Sequence, residues 1–231
     1  MKTLGLLGGM SWESTVTYYQ EINRRVREVK GGLHSAPCVV FSFEFAEIEK
    51  LQHAGKWDKA GLLLDEAAAK LKLAGADGIV LCTNTMHFVS HGIGRASQLP
   101  LLHIADPTAE RILEAGYKTA GLLGTRFTME KDFYKARLNE KFGLEVIVLE
   151  ESDRIIVHDI IYKELCHWIM TERSRQTYLE VIEQLANAGA ECLILGCTEI
   201  GLLIDDGACQ LPVFDTTKIH SIAAADWAMA E

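Results

Sequence analysis

Short apolar runs alternate along this chain with longer segments whose apolar residues recur at helical spacing. The runs Thr3–Leu7, Cys38–Phe43, Gly78–Cys82 and Leu101–Ile104 read as buried strands in the first half. Thr119–Leu123, Glu145–Leu149, Cys192–Leu195 and a strand ending at Val213-Phe214-Asp215-Thr216-Thr217 play that part in the second. Helical spacing marks Trp12–Val29, closed by Gly31-Gly32, then Glu44–Ala74 with a break near Gly55. It recurs at Met86–Ala96, Pro107–Ala115, Met129–Phe142, Ile155–Trp168, Arg173–Ala188 and Lys218–Ala230. Strands that alternate with helices in this way predict an α/β fold with parallel sheets.

The pattern repeats. Ala74-Gly75-Ala76 aligns with Ala188-Gly189-Ala190, and the strand behind each leads to a polar turn. In that alignment Thr83 falls on Cys197, Asn84 on Thr198 and Thr85 on Glu199. Lys2–Gly8 likewise matches Lys118–Gly124, and Gln98–Leu101 matches Gln210–Val213. Three matches in one order argue for internal duplication. Two similar parallel-sheet lobes, related by a pseudo-two-fold axis, are expected, with the active site in the cleft between them. The expected boundaries are 1–105 for the first lobe and 106–209 for the second, with 210–231 returning to the first. Cys197 and Thr83 would stand on opposite walls, since ligands bind at the carboxyl ends of parallel strands.

Composition narrows the partners. The 231 residues are 48% hydrophobic and carry a formal charge of −9. That balance supports a proper core and argues against nucleic acid or an anionic membrane surface. No apolar run approaches the length of a membrane-spanning helix. The glycine-rich opening does not read as a signal peptide, so a cytoplasmic location is expected. The six cysteines match no zinc or redox spacing, and most read as small buried hydrophobes. His87 and His91 are four apart, but no acidic partner accompanies them, so an ordinary helix face is the better reading and no metal is expected. Gly8-Gly9-Met10-Ser11 is not a dinucleotide fingerprint. Ligand contact by Met10 and its neighbours weighs equally there with a tight strand-to-helix turn.

The candidate chemistry sits on the strand-end turns. A thiol facing a hydroxyl across a small site suits proton removal from one face of a carbon and proton return on the other. The base must work near neutral pH, and a thiol lowered by helix-start N–H groups would do so, which is the expectation for Cys197. The carbanion needs donors about the substrate carboxylate. Asn84, Thr85, Thr125, Thr128 and Thr198 are candidates on these turns.

At these residues the chain resembles the aspartate/glutamate racemase superfamily over essentially its whole length. Gly5–Ser11 resembles the family's first turn, and Thr83-Asn84-Thr85 with His87 resembles its Cys-Asn-Thr-x-His. Gly196-Cys197-Thr198-Glu199 resembles its second-cysteine motif, and Gly124-Thr125 with Thr128 its threonine turn. The resemblance implies a cofactor-independent, PLP-independent amino-acid racemase, commonly a homodimer, with a small amino acid as substrate. It implies Cys197 and Thr83 as catalytic residues. Met10, Gln52, Asn84, Thr85, Thr125, Thr128, Lys163, Thr198 and Glu199 are then the substrate contacts, Lys163 lying where the aspartate and glutamate branch uses a lysine. One departure stands out: Thr83 replaces the first cysteine, and Cys82, one residue early, points to the other face of its strand. An alcohol is a far weaker acid than a thiol, so one-sided behaviour is expected, with L-aspartate and L-glutamate as substrates. Alternatives within the scaffold are maleate isomerase, hydantoin racemase and malonate decarboxylase chemistry. Outside catalysis, an amino-acid-binding protein that lost the reaction is the alternative.

Overall fold

The computed structural model describes residues 1–204 and 207–230. Its eight strands form two four-stranded, all-parallel sheets. The chain divides into two compact units, Met1–Ile104 with the segment from His220 onward, and Ala105–Ile219.

In the first unit β1 (Leu4–Gly8) is followed by helix α1 (Trp12–Lys30) and β2 (Cys38–Ser42). Helices α2 (Phe45–His53) and α3 (Trp57–Leu73) lead to β3 (Gly78–Leu81). A 3-10 helix (Thr85–Gly92), α4 (Ile93–Ser97) and β4 (Leu101–Leu102) complete it, giving the strand order β2-β1-β3-β4. β1 and β3 are buried throughout, and alternate residues feed two cores. Leu7, Ile79 and Leu81 pack with the apolar face of α3, while Leu4, Leu6, Val80 and Cys82 pack with α1 residues Tyr18, Ile22 and Val26. α1 starts where Ser11 Oγ accepts the Ser14 N–H at 3.3 Å, a cap worth about 1 kcal/mol. Gly9 has φ +80, and a Cβ there would lie 2.4 Å from backbone atoms of Phe43, so only glycine fits this turn.

The second unit repeats the plan. Helix α5 (Ala105–Glu114) precedes β5 (Thr119–Gly124), then α6 (Arg126–Glu130), α7 (Asp132–Phe142) and β6 (Glu145–Ile147). Next come α8 (Glu151–Lys163), a 3-10 turn (Leu165–His167), α9 (Glu172–Asn187) and β7 (Cys192–Gly196). A second short 3-10 turn (Ile200–Leu202), β8 (Val213–Asp215) and α10 (Thr216–Met229) end the chain. The order β6-β5-β7-β8 mirrors that of the first sheet. The helix expected over Met129–Phe142 begins earlier, at Arg126, and breaks at Lys131, whose backbone is extended.

The return expected at 210 begins instead at His220. β8 stays with the second sheet because Leu193, Ile194 and Leu195 pair with Val213, Phe214 and Asp215, and Thr216 Oγ1 donates to Leu195 O at 2.8 Å. From His220 the anchors change. Its Nε2–H donates to Leu102 O at 2.8 Å, its Nδ1 accepts from Tyr18 OH at 2.8 Å, and Ala224, Ala225 and Ala228 join the core beside α1. The last residue of the expected 210–231 segment lies outside the described residues.

Candidate active site

In the first unit the turn after β3 carries Thr83, Asn84 and Thr85, all buried. Its anchor is His87. Ile104 N–H donates to His87 Nε2 at 3.3 Å, so that nitrogen carries no proton. The proton is then on Nδ1, which donates to Thr83 O at 2.7 Å. His87 is thus a neutral clamp between the Thr83 turn and the end of β4, with His103 packed edge-on at 4.4 Å. Its ring nitrogens serve backbone groups. Among the described residues no three His, Cys, Asp or Glu side chains converge as a metal-binding set.

Cys82 is fully buried on the opposite strand face from Leu81, in the core with Val80 and Tyr18. Burial pushes its thiol far above the ordinary range, and the neighbouring Cys38 adds to the shift. It is a core residue. Two other expected contacts of this unit are also interior. Met10 packs with Leu7, Ile48 and Leu64, and the buried Gln52 Nε2 donates to Met86 Sδ at 3.0 Å.

In the second unit β5 and β7 end side by side at Gly124 and Gly196. A Cβ on Gly124 would lie 2.9 Å from Gly196 O, so glycine lets the two strand ends, and the turns beyond them, approach. Thr125 caps α6, accepting the Thr128 N–H at 3.3 Å, and the two threonine hydroxyls lie 3.2 Å apart. Cys197 leaves the adjacent strand end half-buried. Its Sγ–H donates to Glu199 Oε2 at 3.1 Å, and Thr198 Oγ1 donates to the same oxygen at 2.6 Å. Glu199 itself is 6% exposed.

This geometry corrects one expectation. The helix after Cys197 is a three-residue 3-10 turn, too short to lower a thiol by its dipole. The Cys197 thiol is instead pushed well above its usual value, first by desolvation, then by the Glu199 carboxylate, by Cys166 and by its hydrogen bond to Glu199. Only the Glu199 backbone N–H pulls the other way. These influences favour the protonated sulfur. Tyr178 from α9 and Cys166 from the turn after α8 belong to this group and were not found from sequence, since neither lies near Cys197 along the chain.

Lys163 stands apart. Its side chain is 71% exposed and its Nζ pairs with Asp159 at 2.8 Å, one turn back on α8.

The comparisons with known proteins show the family. The model of the Asp/Glu/Hydantoin racemase family matches residues 7–224, and the chain belongs to that family. It is 25% identical over 225 residues to the broad specificity amino-acid racemase RacX of Bacillus subtilis (strain 168), covering 93% of this chain and 92% of that one. Among solved structures it resembles a Yersinia pestis protein proposed to be an Asp/Glu racemase, with TM-score 0.92 and 54% identity over 100% of both chains. An aspartate racemase homologue from Pyrococcus horikoshii OT3 follows at TM-score 0.86 and 33% identity, again over 100% of both chains. Among the described residues no helix is long and apolar enough to cross a membrane.

Proposed function

We propose that the protein is a cofactor-independent racemase of L-aspartate and L-glutamate, with Cys197 taking the α-proton and Thr83 returning one to the opposite face. The observation that carries this reading is the half-buried Cys197 thiol at the end of β7, hydrogen-bonded at 3.1 Å to a buried carboxylate. A thiol so placed can cycle a proton, which a core cysteine such as Cys82 cannot. Family membership supports the same chemistry.

In the proposed reaction the electron pair of the broken Cα–H bond spreads into the substrate carboxylate. Donors from Asn84, Thr85, Thr125 and Thr198 hold that charge, and Thr128 fixes the Thr125 hydroxyl. The Thr83 hydroxyl, or a water held by it, then protonates the other face. Thr83 is a weak base for the reverse abstraction, because an alcohol gives up its proton far less readily than a thiol. Lys163 is the proposed partner of the side-chain carboxylate, and it must exchange Asp159 for substrate. That competition favours a tolerant pocket in which neutral amino acids are slow substrates.

Incubation of the protein with L-glutamate and with L-aspartate, followed by chiral chromatography, tests the reading. Accumulation of the D-isomer is expected. Absence of any D-isomer, with the melting temperature raised by the amino acid, would identify a binding protein instead.

A further inference from the structure

Glu199 lies two residues beyond Cys197 and is turned back on it. Its Oε2 accepts from both Cys197 Sγ and Thr198 Oγ1, at 3.1 and 2.6 Å. A side chain that only bound substrate would not be expected to point this oxygen at the sulfur. Thr198 fixes the carboxylate in that direction, so the thiol has a proton acceptor already aligned with it.

Resting on the racemase reading, we infer that Glu199 acts through Cys197 as its proton acceptor, so that the working base is a Cys197–Glu199 pair and not a free thiolate. The step balances as follows. The α-proton of the L-amino acid moves to Cys197 Sγ while the Sγ proton moves to Glu199 Oε2. The Cα–H electron pair stays on the substrate. Sulfur ends as it began, a thiol, and Glu199 ends protonated until it exchanges with water. The arrangement lets a sulfur whose ionisation is opposed by burial and by Glu199 still serve as the base, because its own proton has an acceptor at 3.1 Å. Glu199 on its own turn is hydrogen-bonded to the sulfur, while Cys166 from the turn after α8 and Tyr178 from α9 are coupled to it electrostatically. Glu199 is in these terms a positioning residue that sets where the Cys197 proton goes.

The pair makes an unusual signature in Glu199→Gln. Removing the negative charge frees the thiolate, so alkylation of Cys197 by iodoacetamide at pH 7.5, read by mass spectrometry without substrate, should quicken about tenfold or more. Exchange of the α-proton of L-glutamate in heavy water should slow about tenfold or more, because the amide cannot take the proton. The pH profiles should part as well. Wild-type exchange should stay level through the neutral range, whereas exchange by Glu199→Gln should climb with pH along its own alkylation curve. Glu199→Asp, which keeps the charge on a shorter arm, should fall between the two. An unchanged alkylation profile in Glu199→Gln would overturn the inference, as would faster alkylation accompanied by faster exchange, which would make Glu199 only a brake on ionisation. If Glu199→Gln does not fold, Glu199→Asp decides: slower exchange with quicker alkylation supports the pair, and wild-type values for both refute it. A wild-type protein that exchanges no amino acid would refute the racemase reading, and the alkylation profiles would still report whether Glu199 holds the Cys197 proton.

Discussion

The turn after β3 and the turn after β7 occupy the same place in two sheets of the same strand order, and they have been built for opposite ends. The β3 turn is closed. Thr83, Asn84 and Thr85 are buried, the backbone of Thr83 is clamped by His87, and a 3-10 segment kinked at Val89 follows. The β7 turn is open. Cys197 and Thr198 remain half-buried, the following 3-10 turn is three residues long, and a carboxylate stands where the other turn has the Thr85 hydroxyl. The two sheets share a strand order, while the side chains carried by the two strand-end turns differ. One turn holds a thiol with an acceptor beside it, and the other holds an alcohol on a backbone clamped by His87.

That contrast can be broken most severely at the sulfur. Cys197→Ser should lower α-proton exchange of L-glutamate by about 10²–10⁴-fold, the usual worth of a positioned acid or base, as read by NMR in heavy water. The reverse experiment levels the two turns. Thr83→Cys should raise exchange of the D-isomer by about tenfold or more, and no change would remove Thr83 from the reaction. A third change tests the clamp without touching the proton groups. His87→Phe leaves Thr83 O and Ile104 N–H without their ring partner and should cost about 1–3 kcal/mol for each orphaned group, measured by urea unfolding at constant m-value.

The core thiols Cys82 and Cys192 give a pH test of stability. Burial holds Cys82 far above the ordinary thiol range and pushes Cys192 up to about 12. Both are 0% exposed. In the unfolded chain each ionises near the usual value of about 8.5, so above that pH the native state binds more protons than the unfolded state. The stability each thiol contributes is fully present below about pH 8.5 and is lost as pH rises, at about 1.4 kcal/mol per pH unit, levelling for Cys192 near pH 12. Urea midpoints between pH 8 and 10 check this, and Cys82→Ala should flatten the curve. The smallest effect is expected at Lys163. Its exposed pair with Asp159 contributes under about 1 kcal/mol to stability. Lys163→Met should therefore leave unfolding unchanged and raise KM several-fold for L-aspartate and L-glutamate but not for neutral amino acids.

Much of this architecture is legible in the chain because it is written in local periodicity. The buried runs around Leu6, Val80, Leu122 and Ile194 mark the central strands, and their repetition announces two similar sheets. The same alignment sets Thr83 against Cys197 as the candidate pair. What local pattern does not hold is long-range. The crossing at His220 depends on Leu102 O and Tyr18 OH, which are distant in sequence. The protonation of Cys197 depends on desolvation, on Cys166 and on which way Glu199 turns, none of which spacing reveals. The division of the Thr125–Phe142 segment at Lys131 turns on an extended backbone at one residue that helical spacing runs straight through.

The most direct measurement follows the α-proton signals of L- and D-glutamate, in separate tubes of heavy water, with wild-type protein. At equilibrium the two directions of racemisation must balance, so the initial rate of α-proton loss, not the final mixture, reports each turn. Fast loss from the L-isomer, slow loss from the D-isomer and eventual appearance of the opposite enantiomer are expected. Equal initial rates for the two isomers would contradict the account, since the β3 and β7 turns would then be equivalent in proton chemistry despite their different side chains.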